Sequence, residues 1–256
     1  MDLNRNVGST RALGVVRLRP RGFHLRLLLI CAVTLIGFVG FAFRAQSDSS
    51  ITYDVLFSDY AGGAPLKWLA NKGFQPQRDA DNPRKVTFTP TGEFLRLETK
   101  RQAAGLLVSA TDIPVYSKIR IKWGVDAFPP GASYAKGVRS EAIMVYVFFG
   151  TEKLPSGHFL VPDSPYFIGL FLSDSDPIGE GFKGRLFHAG GRYVCADRAQ
   201  LGQSIITEYP IAEDFKQLFG QANLPAISGL GIDIDTENAK GNGVAKSFIS
   251  EIEILR

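Results

Sequence analysis

The sequence contains few of the residues that form disulfides in small exported proteins or that bind transition metals. It contains two cysteines and three histidines among 256 residues. Cys31 lies in an apolar run and Cys195 lies far along the chain, so no disulfide framework is expected. No histidine has the spacing to a second histidine or cysteine that a zinc site requires. Stability must therefore come from a hydrophobic core, which about 200 residues can supply.

Motifs for nucleotide binding and for nucleophilic catalysis are missing too. The chain has no Walker sequence, no dinucleotide fingerprint and no G-x-S-x-G elbow, so no cofactor is predicted. The net charge of +4 does not indicate nucleic-acid binding either. Residues 1–44 contain seven arginines, no lysine and one aspartate, which leaves a charge of −2 on residues 45–256. A nucleic-acid partner is therefore not expected, because a basic face should lie within the folded part.

The longest apolar run is Leu27–Phe43, with 17 residues and no charge. As a helix it would cover roughly 25 Å of a bilayer core that is about 30 Å thick. Six arginines precede it and only Arg44 follows closely, which predicts a cytoplasmic N-terminus. A cleaved signal peptide, with Gly40 and Ala42 before the cleavage point, is the alternative. The predicted order is a basic cytoplasmic arm (1–26), a single-pass transmembrane helix (27–43), a linker (44–52) and an exported, periplasmic domain (53–256).

The rest of the chain has the pattern of an all-β domain. In Lys118–Val125, apolar residues alternate with cations, which is typical of a strand with one solvated face. Glu141–Phe149 is almost continuously apolar, as in a central strand. Ile211–Phe219 begins after a proline and ends before Gly220, which predicts one short helix. About ten short strands, Arg185–His188 among them, predict an antiparallel β-sandwich of jelly-roll type.

The segment Gly231–Gly243 combines oxygen-bearing side chains with glycines. Asp233 and Asp235 are two residues apart, so on a strand both point to the same face. Oxygen ligands of this kind suit Ca²⁺. The predicted structural calcium site consists of Asp233, Asp235, Glu237 and Asn238. The spacing differs from that of an EF-hand loop, and the alternative is a strand end whose side chains cap a wide turn.

Aromatic and acidic residues suggest how a glycan could be bound or cleaved. Aromatic rings in two long loops are candidates for a stacking platform for sugar, namely Tyr134, Phe159 and Tyr166. A glycosidase needs two carboxyl groups about 5–10 Å apart across a cleft. The candidates for such a pair are Glu141, Asp174, Asp176, Glu180, Asp233 and Asp235. Cys195, in contrast, follows apolar residues of a predicted strand and is expected to be a buried, unreactive thiol.

Three functions are compatible with these patterns. The first is a membrane-anchored module that binds a ligand, for example a glycan of the cell envelope. The second is an enzyme that acts on polysaccharide through paired carboxylates. The third is a structural or assembly module that binds another envelope protein.

From about Gly105 onward the order of motifs resembles a bacterial family of uncharacterised exported proteins, domain of unknown function 3047. The resemblance covers about 150 residues. It departs from the family pattern at Ser140-Glu141, where the family has an acidic pair, and in the following strand, which lacks the family's arginine. It implies an exported, jelly-roll-like domain and no established activity. The motifs that carry it are Ile121-Lys122-Trp123, Glu141–Phe149, Glu213-Asp214-Phe215 with Phe219-Gly220, and Asp233–Asn238.

Overall fold

The structure, a computed structural model, describes residues 50–256. The predicted basic arm, the apolar segment 27–43 and most of the predicted linker lie outside the described residues. Within residues 50–256, no helix has the length and hydrophobicity needed to cross a bilayer. The first strand begins at Ile51, two residues before the predicted start of the domain.

The described part of the chain forms thirteen strands and two helices. The strands are β1 (Ile51–Leu56), β2 (Gln75–Arg78), β3 (Val86–Pro90), β4 (Leu95–Thr99), β5 (Ala104–Ile113), β6 (Lys118–Ala127), β7 (Glu141–Leu154), β8 (Ser164–Ser173), β9 (Gly181–Phe182), β10 (Gly191–Arg198), β11 (Ser204–Tyr209), β12 (Ile227–Asp235) and β13 (Lys246–Leu255). The helices are α1 (Pro65–Asn71) and α2 (Ile211–Phe219). The prediction of an all-β domain is confirmed.

The strands form two sheets. Sheet A has the order β11-β6-β13-β4-β3, and β1 also pairs with β13. Sheet B has the order β2-β5-β12-β7-β8-β10-β9. Apolar residues from both sheets belong to one buried cluster, which makes the domain a two-sheet sandwich.

The core between the sheets follows the alternation seen in the sequence. On β6, the side chains of Ile119, Ile121 and Trp123 have no solvent exposure. On β12, Ile232 and Ile234 are equally buried and face the same core. The next residues along β12 must therefore point away from sheet A, because successive side chains on a strand alternate between faces. This alternation creates a second, outer face of sheet B.

Helix α2 has the bounds that its sequence predicts. Its apolar stripe buries Ile211 and Phe215 and packs Leu218 and Phe219 against the core. Gly220 ends the helix with φ +64°, the left-handed conformation that glycine adopts without strain.

Three local predictions were wrong. A second helix exists, because Pro65 begins α1 and Leu69 buries its side chain completely. Arg185–His188 is a turn: Phe187 has φ +57°, which interrupts an extended chain, and its carbonyl accepts a hydrogen bond from the N–H of Gly191. Sheet B also contains the only parallel strand pair among residues 50–256, β8 with β10, whereas the sequence predicts an antiparallel sandwich.

Candidate functional site

The outer face of sheet B carries a row of paired residues that crosses six strands. Each residue lies directly opposite the next in the strand register. Three members are aromatic and half-buried, and glycines stand on either side of Tyr146. We call this set the aromatic row: Val108, Gly231, Tyr146, Gly169, Tyr193 and Phe182.

The two glycines of the row are required by its close packing. A Cβ atom on Gly169 would lie 2.4 Å from Sδ of Met144 and 3.0 Å from a ring carbon of Tyr146. A Cβ atom on Gly231 would lie 3.2 Å from Cβ of Tyr146. The absence of side chains at these positions lets Met144 and Tyr146 pack directly against the backbone of the neighbouring strands. The rings of Tyr146 and Tyr193 lie 6.4 Å apart in an edge-to-face arrangement, which fixes their orientation.

Three acidic side chains converge beside the aromatic row. Asp233 and Asp235 project from the outer face of β12, and Glu141 projects from the first residue of β7, opposite Asp235. One carboxylate oxygen from each residue lies within 4.8 Å of those of the other two. We call Glu141, Asp233 and Asp235 the carboxyl cluster. It is a buried acidic group whose composition could hold a metal ion.

The three acids of the carboxyl cluster differ in the hydrogen bonds that they accept. The Tyr134 hydroxyl donates to Oε2 of Glu141 at 2.7 Å. Arg78 donates to Oδ2 of Asp235 at 2.8 Å and to Oε2 of Glu237 at 2.7 Å. Oδ1 of Asp233, in contrast, is buried and has no hydrogen-bond partner. Such an orphaned buried acceptor is uncommon in folded proteins.

The electrostatics of the cluster favour uptake of positive charge. Burial raises the pKa of Glu141 well above its ordinary value, and the nearby Asp235 and Asp233 raise it further. Burial, followed by the charge of Asp235, raises the pKa of Asp233 to about 7. The pKa of Asp235 is also raised by burial, although Arg78 opposes the shift. The three groups form one coupled system in which simultaneous ionisation is costly.

A loop at residues 128–140 closes over one end of this face. Its anchor is Asp176, which is 2% exposed. The Asp176 carboxylate accepts hydrogen bonds from the Ser133 and Ser173 hydroxyls at 2.8 and 3.0 Å, and from the N–H groups of Tyr134 and Ala135 at 3.1 and 3.0 Å. These bonds hold the Tyr134 ring, 6% exposed, against Phe171 at a centroid distance of 4.4 Å. Asp176 therefore has a structural role here, and the two other candidate acids on its turn, Asp174 and Glu180, are exposed.

The predicted sugar-stacking residues lie in three different environments. Tyr134 is buried beside the carboxyl cluster. Phe159 is 90% exposed at a loop tip, where its ring stacks on His158. Tyr166 is half-buried against Phe215 and Phe219 of α2. Their part in ligand binding stays a prediction.

The predicted calcium ligands are divided between two environments. Asp233 and Asp235 belong to the carboxyl cluster, whereas Glu237 pairs with Arg78 at the surface. The Asn238 amide donates to the carbonyl oxygen of Arg139 at 2.9 Å. The third carboxylate near the aspartates is Glu141, whose proximity depends on the pairing of β7 with β12.

Cys195 behaves as the sequence indicates. Its side chain is fully buried beside Tyr134 and Phe171. Burial, followed by the negative charge of Asp176, raises the pKa of the thiol to about 11. The thiolate is therefore scarce at neutral pH, which makes a nucleophilic role unfavourable.

Comparisons with known proteins give weak structural likenesses. The xyloglucanase domain of NopAA from Sinorhizobium fredii, in complex with cellobiose, is 10% identical, with 72% of this chain and 95% of that chain covered at a TM-score of 0.41. An endo-acting O-glycanase from the human gut microbiota is 7% identical, with 80% and 99% covered and a TM-score of 0.40. A point mutant of the carbohydrate-binding module CBM29-2 is 10% identical, with 79% and 91% covered and a TM-score of 0.31.

No protein-family model matches the chain. No curated protein matches it either. The resemblance to domain of unknown function 3047 therefore stays a prediction. Since a fold hosts many functions, the functional assignment has to come from the residues of the site.

Proposed function

We propose that this protein is a membrane-anchored, exported domain of jelly-roll type that binds a glycan of the cell envelope across the outer face of sheet B. The observation that supports this most is the aromatic row. It combines half-buried tyrosine rings with glycines that let these rings pack closely, and it lies beside carboxylate oxygens on β7 and β12. Sugar rings bind proteins through apolar contact with aromatic faces and through hydrogen bonds from their hydroxyl groups, and both partners lie side by side here.

The dimensions of the row favour a chain of sugars over a single sugar. The row crosses six strands, and five spacings of about 4.8 Å give a length of roughly 24 Å. Tyr146 lies at its middle and Tyr193 lies two strands further on. An oligosaccharide laid across the strands would contact both rings. The carboxyl cluster would then offer hydrogen-bond acceptors on one side of it, mainly through Asp235, whose side chain is 15% exposed.

The test is a glycan-array screen of the full-length protein, followed by titration calorimetry with the best ligand. We expect Tyr146→Ala and Tyr193→Ala each to weaken binding tenfold or more, about 1.4 kcal/mol, because each removes a ring that contacts the ligand. Phe159→Ala is the matched control, since that ring is 90% exposed on a separate loop. Equal losses in all three variants, or a loss in Phe159→Ala alone, would refute binding along the row.

A polysaccharide-acting enzyme is the second candidate. Glu141 and Asp233 lie on adjacent strands, with carboxylate oxygens within 4.8 Å, beside the row. Retaining glycosidases place two carboxyl groups about 5–5.5 Å apart. Both groups are at most 3% exposed, however, which favours binding as the first proposal. An enzyme would release reducing ends from the glycan that the array identifies. Glu141→Gln should lose this release and still bind the glycan.

The anchoring part of the proposal depends on the apolar segment 27–43. Export through that segment predicts that the protein sediments with membranes. It also predicts that external protease degrades the C-terminal domain only after the outer permeability barrier is opened. Recovery in the soluble fraction of a form that lacks residues 1–42 would instead indicate a cleaved signal peptide.

A further inference from the structure

The ion pairs of the carboxyl cluster leave part of its negative charge uncompensated. Glu141 and Asp233 are 3% and 2% exposed, and Asp235 is the third acid within reach of both. Among residues 50–256, the ion pairs of the cluster come from Arg78 alone, which bonds Asp235 and Glu237. A buried carboxylate without a partner is costly, so either protons or a cation must compensate the remaining charge.

The position of the unsatisfied atom separates these possibilities. Glu141 has the Tyr134 hydroxyl as a donor, and Asp235 has Arg78 and the N–H of Glu237. Oδ1 of Asp233 is buried without any donor, although a carboxylate oxygen of this residue lies within 4.8 Å of those of the other two acids. A proton would satisfy one oxygen at a time, whereas a bound cation accepts oxygen ligands from all three residues at once.

We propose that Glu141, Asp233 and Asp235 form a binding site for a divalent cation with oxygen ligands, with Ca²⁺ as the preferred ion. Carboxylate oxygens coordinate Ca²⁺ at about 2.3–2.6 Å, so two oxygens on one ion lie at most about 5 Å apart. The limit of 4.8 Å among the cluster oxygens fits this span. Mg²⁺ demands a regular octahedron and retains several waters, which suits a closed site poorly.

The ligands come from distant parts of the chain, which gives the site a structural role. A cation shared by Glu141 and the two aspartates would join the first residue of β7 to the end of β12. Both strands also carry members of the aromatic row, Tyr146 and Gly231. The cation would stabilise this part of sheet B whether or not a glycan binds there, so its test is independent of the proposed glycan binding.

The test measures thermal unfolding of the full-length protein at pH 7.5, after removal of divalent ions with a chelator, with and without Ca²⁺. At a Ca²⁺ concentration about 100 times Kd, we expect the Tm to rise by on the order of 5–10 °C. Asp233→Asn should abolish the rise. This variant is expected to fold, because it removes a buried charge without changing the shape of the side chain. Isothermal titration with CaCl₂ should give binding heat for the wild type and none for Asp233→Asn.

Glu237→Gln is the matched control, because it removes an acid that belongs to the predicted calcium set but lies outside the cluster. It should keep the Ca²⁺-dependent rise in Tm. The proposal is refuted if Ca²⁺ leaves the wild-type Tm unchanged while acidification raises it, since protons alone then compensate the cluster. An equal Ca²⁺ response in Asp233→Asn would also refute it.

Discussion

Raising the pH from about 4 to about 8 without divalent cations is expected to lower the free energy of unfolding by on the order of 2–4 kcal/mol. Aspartate ionises near pH 3.9 in the unfolded chain, but the pKa of Asp233 in the fold is about 7. Between these values the folded state holds more protons, so stability falls as pH rises. Glu141 has a raised pKa for the same reason and contributes in the same direction. Urea unfolding at several pH values measures the effect.

Asp233→Asn tests the origin of this pH dependence. The variant lacks the titrating group, so its stability should change much less across the same range. Glu237→Gln should retain most of the slope, since Glu237 lies at the surface. Glu208, whose pKa is lowered by its hydrogen bond from Arg120, is exposed and acts in the opposite sense only near the acid end. Equal slopes in wild type and Asp233→Asn would contradict the account of the carboxyl cluster.

Trp123→Ala is expected to destabilise the domain by about 3–5 kcal/mol, the range for removing a buried aromatic side chain. The ring is fully buried between the sheets. Its indole N–H also donates to the Thr207 hydroxyl on β11 at 2.9 Å, so the substitution leaves a cavity and removes one of the two hydrogen bonds of this hydroxyl, which still donates to Oδ2 of Asp197 at 3.2 Å. Denaturant unfolding at fixed pH measures the loss.

Two variants of the same strand control this prediction. Trp123→Phe keeps most of the ring but loses the hydrogen bond, and should cost clearly less than Trp123→Ala. Lys122→Ala changes the exposed neighbour and should stay within about 0.5 kcal/mol of the wild type. A similar loss for Lys122→Ala and Trp123→Ala would mean that Trp123 does not belong to the core described here.

Local sequence patterns predict the elements whose environment is uniform. From Lys118 to Trp123, β6 alternates because one face meets the core and the other meets solvent. Its exposed cations find partners on that outer side, such as Arg120 with Glu208 and Glu253. Helix α2 is equally clear, since a proline and a glycine bound its apolar stripe. Patterns fail where a tertiary contact sets the backbone, as at Phe187, whose N–H donates to the carbonyl of Ser156 in a distant loop.

The sequence predicts only part of the candidate site. The spacing of Asp233 and Asp235 places both on one face of a strand, which the structure confirms. Glu141 begins a strand whose apolar sequence indicates burial on both faces. Its approach to the aspartates depends on the pairing of β7 with β12, which no local sequence pattern predicts. The aromatic row has the same origin, because Tyr146 and Tyr193 become neighbours only through the parallel pairing of β8 with β10.

The loop at residues 128–140 shows how the fold and the site depend on each other. Asp176 binds two N–H groups and a hydroxyl of this loop, and the loop in turn places the Tyr134 hydroxyl on Glu141. With the Ser173 hydroxyl, four donors on one buried carboxylate make this connection stable. A residue that the sequence offers as a catalytic acid therefore positions the covering loop.

Hydroxyl-radical footprinting of the full-length protein with its best array glycan tests the central claim most directly. Binding along the aromatic row predicts that the ligand lowers the oxidation of Tyr146 and Tyr193, while the exposed Phe159 is oxidised as before. Protection of Phe159 with no change at Tyr146 and Tyr193 would contradict it.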